Sequence, residues 1–485
     1  MNCLRTPSFG LRFAWLWASG LACIAATTTN VCGAELVLDT QVLFTSGEGG
    51  YHTYRIPTMA QTPDGTLFAF VEGRKNSSSD SGDIDLLMRR SNDGGATWSP
   101  VVKIFDDGEN TMGQPTPIVD HSQGALHLMF SRNNREMFIT HYDNETGTFS
   151  EPTDITAVAK SLDVPFDIKR MGAGPTAGLQ GADGRLLAPI WVNQTIGVAS
   201  TYGAGVLYSD DGGTTWQAGG APAVTEEIAG INESSIAMLP NGDLYMTQRT
   251  NAGTPKRSFS TSSDNGITWT ETQLVPQIDP DMTTIKAGLA SVEVKGNSNV
   301  SGLVFTAPEG PGRSNLALWY SPDGQQWSRL ASLNNEMAGY SELIQLNDGI
   351  VGLLYENGTK NYHQQLTFAR LSINAETTTV FNGVDGDINQ DGVLTIDDVN
   401  LFIERFDGLA TYNSRLESYT HGDLNFDGRS DLHDVALFRH YISQAGLEPS
   451  LLQMTTVPEP GTALLSIVSV ALLRALQMGV ATGAP

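Results

Sequence analysis

Beyond position 34 this chain of 485 residues has no cysteine, since Cys3, Cys23 and Cys32 all fall in the first 34. A disulfide framework is thereby excluded for the remainder, and a chain long enough to bury a large core does not need one. Basic residues are scarce too. Lys and Arg number 28 against 53 Asp and Glu, a net charge of −25, whereas a nucleic-acid ligand requires the opposite balance. Long apolar runs are missing. The N-terminal run "FAWLWASGLACIAA" has 14 residues and the C-terminal run Thr462–Leu473 has 12, both short of the roughly 20 needed to span a bilayer. The histidines have no ligand spacing, and no Gly-rich phosphate loop occurs. No cofactor is therefore expected for catalysis.

What is present begins with an export pattern. Arg5 and Arg12 precede the apolar run, and small residues follow in "VCGAE". This predicts a signal peptide over 1–34, cut after Ala34 or alternatively near Ala26, and an exported protein: extracellular, periplasmic or at the cell surface. From 36 to 375, short apolar or alternating runs such as "GTLFAFVEG", "ALHLMFSR" and "DLYMTQR" are separated by Gly/Asp/Asn turns, the pattern of an all-β sandwich, barrel or propeller. An internal repeat decides among them. "SNDGGATW" (91–98), "SDDGGTTW" (209–216), "SSDNGITW" (262–269) and a shortened "SPDGQQW" (321–327) place aspartates at 93, 211, 264 and 323, with intervals of 118, 53 and 59 residues. Asp and Ser suit bonds to turn amides, Gly supplies a positive φ, and Trp packs beneath. Units of this length, each of about four strands, read as propeller blades, and the repeat reads as a folding motif rather than a catalytic one.

These repeats resemble the Asp boxes of the sialidase-type β-propeller, and "YRIP" (54–57) resembles a motif of bacterial exo-α-sialidases. Together they cover about 340 residues in the expected order. The resemblance implies a six-bladed β-propeller that cleaves terminal α-linked sialic acids from sialylated glycans with retention. Sialic acid carries a carboxylate on its anomeric carbon, and guanidinium is the planar fork that matches a carboxylate. The family uses three arginines, which fall here at Arg55, Arg249 in "LYMTQRT" and Arg313 in "APEGPGRSNLALWY". A neutral phenol avoids the repulsion that a carboxylate nucleophile would meet, and sialidases use tyrosine in that role. The family's Tyr-Ser-x-Leu context gives Tyr340, and "GINESS" gives Glu233 as the base that the phenol needs. The proton donor falls on Asp80 in "EGRKNSSSDSGDID", in a loop where burial is expected to raise its pKa, with Asp83 and Asp85 as rivals. Arg74 is expected to support the carboxylate site or the loop. Two readings stay open beside hydrolysis: trans-sialylation through the same intermediate, and a non-catalytic sialic-acid-binding propeller.

A second unit spans 384–445. "DINQDGVLTIDD" (387–398) and "DLNFDGRSDLHD" (423–434) lie 36 residues apart and share calcium-loop spacing. They predict one ion at Asp387, Asn389, Asp391 and Asp398, and another at Asp423, Asn425, Asp427 and Asp434. Helical runs follow each loop, and the unit resembles a type I dockerin, which implies structural Ca2+ and a cohesin-like protein or cell-surface attachment as partner. Because the candidate catalytic residues all precede position 345, the propeller is expected to work without this module. Finally, "VPEPGTALLSIVSVALLRALQ" (457–477) resembles a PEP-CTERM sorting segment.

Overall fold

The computed structural model describes residues 36–452, apart from 197–198, 229, 251–255, 279–284, 296–299, 348, 376, 379–383, 407–414 and 427–428. The signal peptide, the sorting segment and Asp427 lie outside the described residues.

Strands dominate from Val37 to Ser372, and the longer helices, Ile396–Arg405 and Leu432–Gln444, follow them. The strands form antiparallel sheets in a propeller-like arrangement. Successive units begin with Thr53–Gln61, Met112–Asp120, Arg170–Ala173, Ile231–Met238 and Gly288–Val294, and each lies in a sheet of four strands or more. The last sheet has seven strands because one 20-residue strand, Ser328–Asn347, serves two groups. Its first half pairs with Ser314–Ser321 and its second half with Ile350–Gly358, the change falling at Met337. Neighbouring sheets touch in cyclic order, and Ser328–Asn347 returns to contact Thr53–Gln61. The first strand closes the ring, as Val37–Thr45 pairs antiparallel with Gln365–Ser372 and Arg370 grips Asp39 across the seam.

The apolar alternation of the sequence fills the space between sheets. Phe68, Phe70, Phe130, Phe305 and Phe368 are fully buried, each worth about 1.5–3 kcal/mol of transfer free energy. The Asp boxes perform the folding role expected of them. Asp211 accepts hydrogen bonds from Thr215 N at 2.8 Å and Thr215 Oγ1 at 2.6 Å, while Trp216 Nε1 donates to Gly213 O at 3.1 Å. The Thr215 bonds, with a further one from Ser209, hold the Asp211 carboxyl down to about 2. Asp93 and Trp98 repeat the pattern, and a Cβ on Gly95 (φ 91°) would collide with the Phe368 ring.

The C-terminal helices bury Val399, Phe402, Val435, Phe438 and Ile442 in a core of their own. This unit also touches the propeller. Ser332 N donates to Asn425 O at 2.8 Å, and Phe426 packs against the core of the seven-stranded sheet.

Candidate active site

Four inner strands enter the centre of the ring, and each is interrupted where a candidate residue stands. The ladder shifts register between Arg55 and Thr58, between Gly113 and Thr116, between Ile231 and Ser234, and between Ala338 and Ser341. Arg55, Gln114, Glu233 and Tyr340 occupy or adjoin these bulges. A bulge breaks the two-residue alternation and re-aims side chains, which a regular strand would point into the blade. Ile56 shows the cost: its φ is 60°, a conformation that a β-branched residue adopts only under compulsion.

Tyr340, only 4% exposed, donates to Glu233 Oε2 at 2.6 Å and accepts from Arg249 Nη1 at 2.5 Å. Arg249 also pairs with Glu233. Burial pushes the Tyr340 phenol well above its ordinary range, the guanidiniums of Arg249 and Arg55 pull it down, and Glu233 pushes it up again. The net direction is upward. The phenol therefore keeps its proton until a base takes it, and Glu233 stands at that proton. The Arg55 guanidinium lies 5.0 Å from the Tyr340 ring centre and that of Arg313 lies 5.7 Å away. Both also face Tyr362, at 5.3 and 4.8 Å. The three arginines expected from the sequence thus gather around one tyrosine, from three different sheet regions. Arg313 stands in the turn after Val300–Gly310 with φ 65°, and its backbone carbonyl accepts from Ala338 N at 2.9 Å.

Arg74 supports the Asp80 loop. Its Nη1 donates to Asp80 Oδ1 and Ser78 O, both at 2.7 Å, while Nε and Nη2 grip the buried Glu72. Glu72 in turn accepts from Gln114 N at 3.0 Å, and a Cβ on Gly113 would come within 2.5 Å of its carboxylate. One expectation is corrected here. The Asp80 side chain is 79% exposed; what burial it has works to raise its pKa, but Arg74 and Arg55 outweigh that and hold it below the usual carboxylate range. The rivals stay structural: Asp83 and Asp85 both pair with Lys75, at 2.8 and 3.2 Å, and Asp85 accepts the Tyr51 hydroxyl at 2.7 Å.

Sequence reasoning missed Glu356 and Tyr362, both beyond position 345. Glu356 is fully buried and accepts from Arg55 Nε and Nη2, Ile56 N and Tyr340 N, each at 3.0 Å. Its only signal in the sequence was an acid inside the otherwise apolar strand "GIVGLLYEN". A cavity of about 220 Å³ opens beside Tyr340, and Trp191, Asn193 and Tyr202 also line it. Trp191 Nε1 donates to Gln114 Oε1 at 3.1 Å.

In the helical unit, Asp387, Asp398, Asp423, Asn425 and Asp434 are buried. Asp398 caps Ile396–Arg405 through Thr395 N at 2.8 Å, and Asp434 caps Leu432–Gln444 through Asp431 N at 2.8 Å. Buried side chains that offer only oxygen ligands suit a hard cation such as Ca2+. Among the described residues, the carboxylates that gather in a group of three are Asp83, Asp85 and Asp106, and Lys75 already sits among them.

Residues 65–353 match the family described as the BNR repeat-like domain, and the chain, with more than half its length matched, belongs to that family. Its curated relatives include a sialidase of Micromonospora viridifaciens, 27% identical over 354 residues (67% of this chain, 53% of that protein). Another is a sialidase of Bacteroides fragilis, 29% identical over 351 residues (64% and 61%). The chain thus spans between half and two thirds of their lengths. Among solved structures, the Hadza microbial sialidase Hz136 superposes with a TM-score of 0.56 at 25% identity, over 67% of each chain. The intramolecular trans-sialidase from Ruminococcus gnavus gives 0.56 at 17% identity, over 70% of this chain and 99% of that one, a likeness of fold.

Replacing Glu356 by Gln removes the buried countercharge of Arg55 and leaves it only the exposed Asp80 carboxylate at 3.4 Å, a loss of about 3–5 kcal/mol. Thermal unfolding of Glu356→Gln is expected several degrees lower. An unchanged melting temperature would separate Glu356 from the burial of Arg55.

Proposed function

We propose that this protein is an exo-α-sialidase, acting on terminal α-linked sialic acids with retention through a covalent tyrosyl intermediate. The observation that carries the reading is the buried Tyr340 hydroxyl, bonded to Glu233 at 2.6 Å and surrounded by Arg55, Arg249 and Arg313. A phenol with its own base, set among arginines, matches a substrate whose reacting carbon carries a carboxylate. The sialidase relatives support it. A six-bladed count, with Ser328–Asn347 shared by two blades, is part of the proposal.

The steps follow from these groups. The arginines hold the substrate carboxylate, and Tyr340 Oη attacks the anomeric carbon as its proton passes to Glu233. Asp80 gives its proton to the departing glycosidic oxygen. Water, deprotonated by Asp80, then attacks the same carbon from the vacated side, the bond from that carbon to Tyr340 Oη breaks, and the Tyr340 phenolate recovers its proton from Glu233. Two inversions give retention. In the free protein Asp80 is held ionised by Arg74 and Arg55. The protonated fraction that a general acid needs therefore grows as pH falls, and kcat/KM for a natural glycoside should rise toward acid pH. Trans-sialylation remains the second reading, since trans-sialidases share this fold and a sugar hydroxyl can replace the water.

The experiment compares Asp80→Asn with wild type on two substrates. A natural sialoside needs its leaving oxygen protonated, and kcat/KM should drop about 100-fold or more, whereas a nitrophenyl sialoside should lose far less. Equal losses on both would remove Asp80 as the proton donor. Lactose added to the wild-type reaction separates free sialic acid from transferred product.

We further propose that the helical unit is a dockerin-like Ca2+ module, with Asp387, Asn389, Asp391 and Asp398 in one loop and Asp423, Asn425, Asp427 and Asp434 in the other, which attaches the enzyme to a cohesin-like protein or a cell surface. The buried oxygen-only side chains support it. Calcium added to the metal-free full chain should raise helical circular dichroism and the melting temperature of the C-terminal unit. In Asp398→Asn/Asp434→Asn that response should vanish, and a wild type indifferent to calcium would refute the module.

A further inference from the structure

Asp80 separates two spaces. One is the cavity that holds Tyr340; the other is a groove of about 820 Å³ that shares Asp80, Thr111, Asn134 and Arg170 with it. In a chain of net charge −25 this groove gathers three cations beside three carboxylates. Arg135, Lys160 and Arg170 line it, and among the described residues none of the three has an ion-pair partner within 4.0 Å. Of the carboxylates there, Asp80 is held by Arg74 and Glu136 by Arg132, which leaves Asp154 alone to face three cations.

The three cation-bearing segments are tied to one another and to the Asp80 loop. Asn133 and Asn134 form a tight turn (φ 53° and 51°) just before Arg135. Asn133 Oδ1 accepts from Thr111 N at 2.9 Å, and Thr111 Oγ1 both accepts from Gly82 N and donates to Gly82 O at 3.0 Å. Asn134 O accepts from Met171 N at 2.9 Å, next to Arg170. Met137 N donates to Thr156 Oγ1 at 2.9 Å, which anchors the short turn ahead of Lys160. The position of the charges relative to Asp80 is therefore built into the fold.

We propose that this groove receives the leaving group of the α-sialoside and selects one that carries an anion, either a sulfate ester or the carboxylate of an internal sialic acid. The inference rests on the sialidase reading above. A proton donor must touch the glycosidic oxygen, so with the sialic acid beside Tyr340 the leaving sugar lies on the far side of Asp80. A neutral sugar offers no charge to three cations that face only one carboxylate outside an ion pair. Sulfate and carboxylate both match the guanidinium fork of Arg135 or Arg170.

The test measures kcat/KM for α-2,3-sialyllactosamine, its galactose- or glucosamine-sulfated form, and an α-2,8-linked disialyl glycan. At low ionic strength wild type should favour at least one anionic substrate over the neutral one by about tenfold, the sum expected of a few exposed charge contacts. That preference should shrink toward parity as salt rises. In Arg135→Gln/Lys160→Gln the anionic-to-neutral ratio should fall to within about twofold at low salt. A preference for one anionic substrate alone assigns the groove to that group. Cleavage of all three at equal kcat/KM, or a preference unmoved by salt and by the double variant, overturns the inference while leaving the sialidase reading intact. Cleavage of none overturns both.

Discussion

The carboxylate of Glu356 accepts four hydrogen bonds from two strands that lie some 300 residues apart: two from Arg55, one from Ile56 N and one from Tyr340 N. It joins the start of the ring to its end at the point where the candidate chemistry sits. Arg55 is nearly buried, and an uncompensated guanidinium at that depth would be costly. Glu356 supplies the countercharge and uses its remaining lone pairs on the backbone of the same two strands. Arg55 is thus oriented with Tyr340, and Tyr340 in turn fixes where Glu233 and Arg249 must stand.

The strand ladder gives way around this point. Residues that belong to a regular strand alternate between the two faces of a blade, and the axis of the ring lies off both faces. Bulges at Arg55–Thr58, Gly113–Thr116, Ile231–Ser234 and Ala338–Ser341 solve the same problem in four blades. The strained φ of Ile56 and the closeness of Gly113 to Glu72 are local costs of that solution. Glu72 plays for Arg74 and the Gln114 amide the part that Glu356 plays for Arg55, so two buried carboxylates frame the site from opposite sides.

Much of this was readable beforehand, for particular reasons. The Asp boxes are short and self-contained, since Asp211 bonds within four residues of itself, and a local motif survives as a local pattern. Arg55, Arg249, Arg313, Glu233 and Tyr340 were picked out through family resemblance, and the structure brings them together. Glu356 was not legible, because its partners are about 16 and 300 residues away and nothing near "LLYEN" announces them. The acidity of Asp80 was misjudged for a similar reason: serines around it said loop, but the neighbouring guanidiniums that lower its pKa come from two strands. The shared strand Ser328–Asn347 was also hidden, since the Asn-Asn pair at 334–335 reads as a turn while the strand runs through it and changes partner at Met337. The contact of Phe426 and Asn425 with the propeller could not be read from two apparently separate units.

The central claim is that Tyr340 is the nucleophile. The most direct test incubates the wild-type protein with a 2,3-difluoro sialic acid, which slows breakdown of a glycosyl-enzyme intermediate, and maps the adduct by peptide mass spectrometry. The label should sit on the peptide containing Tyr340 and be absent from Tyr340→Phe. A label on Glu233 or Asp80, or enzymatic cleavage with no adduct at any residue, would contradict it.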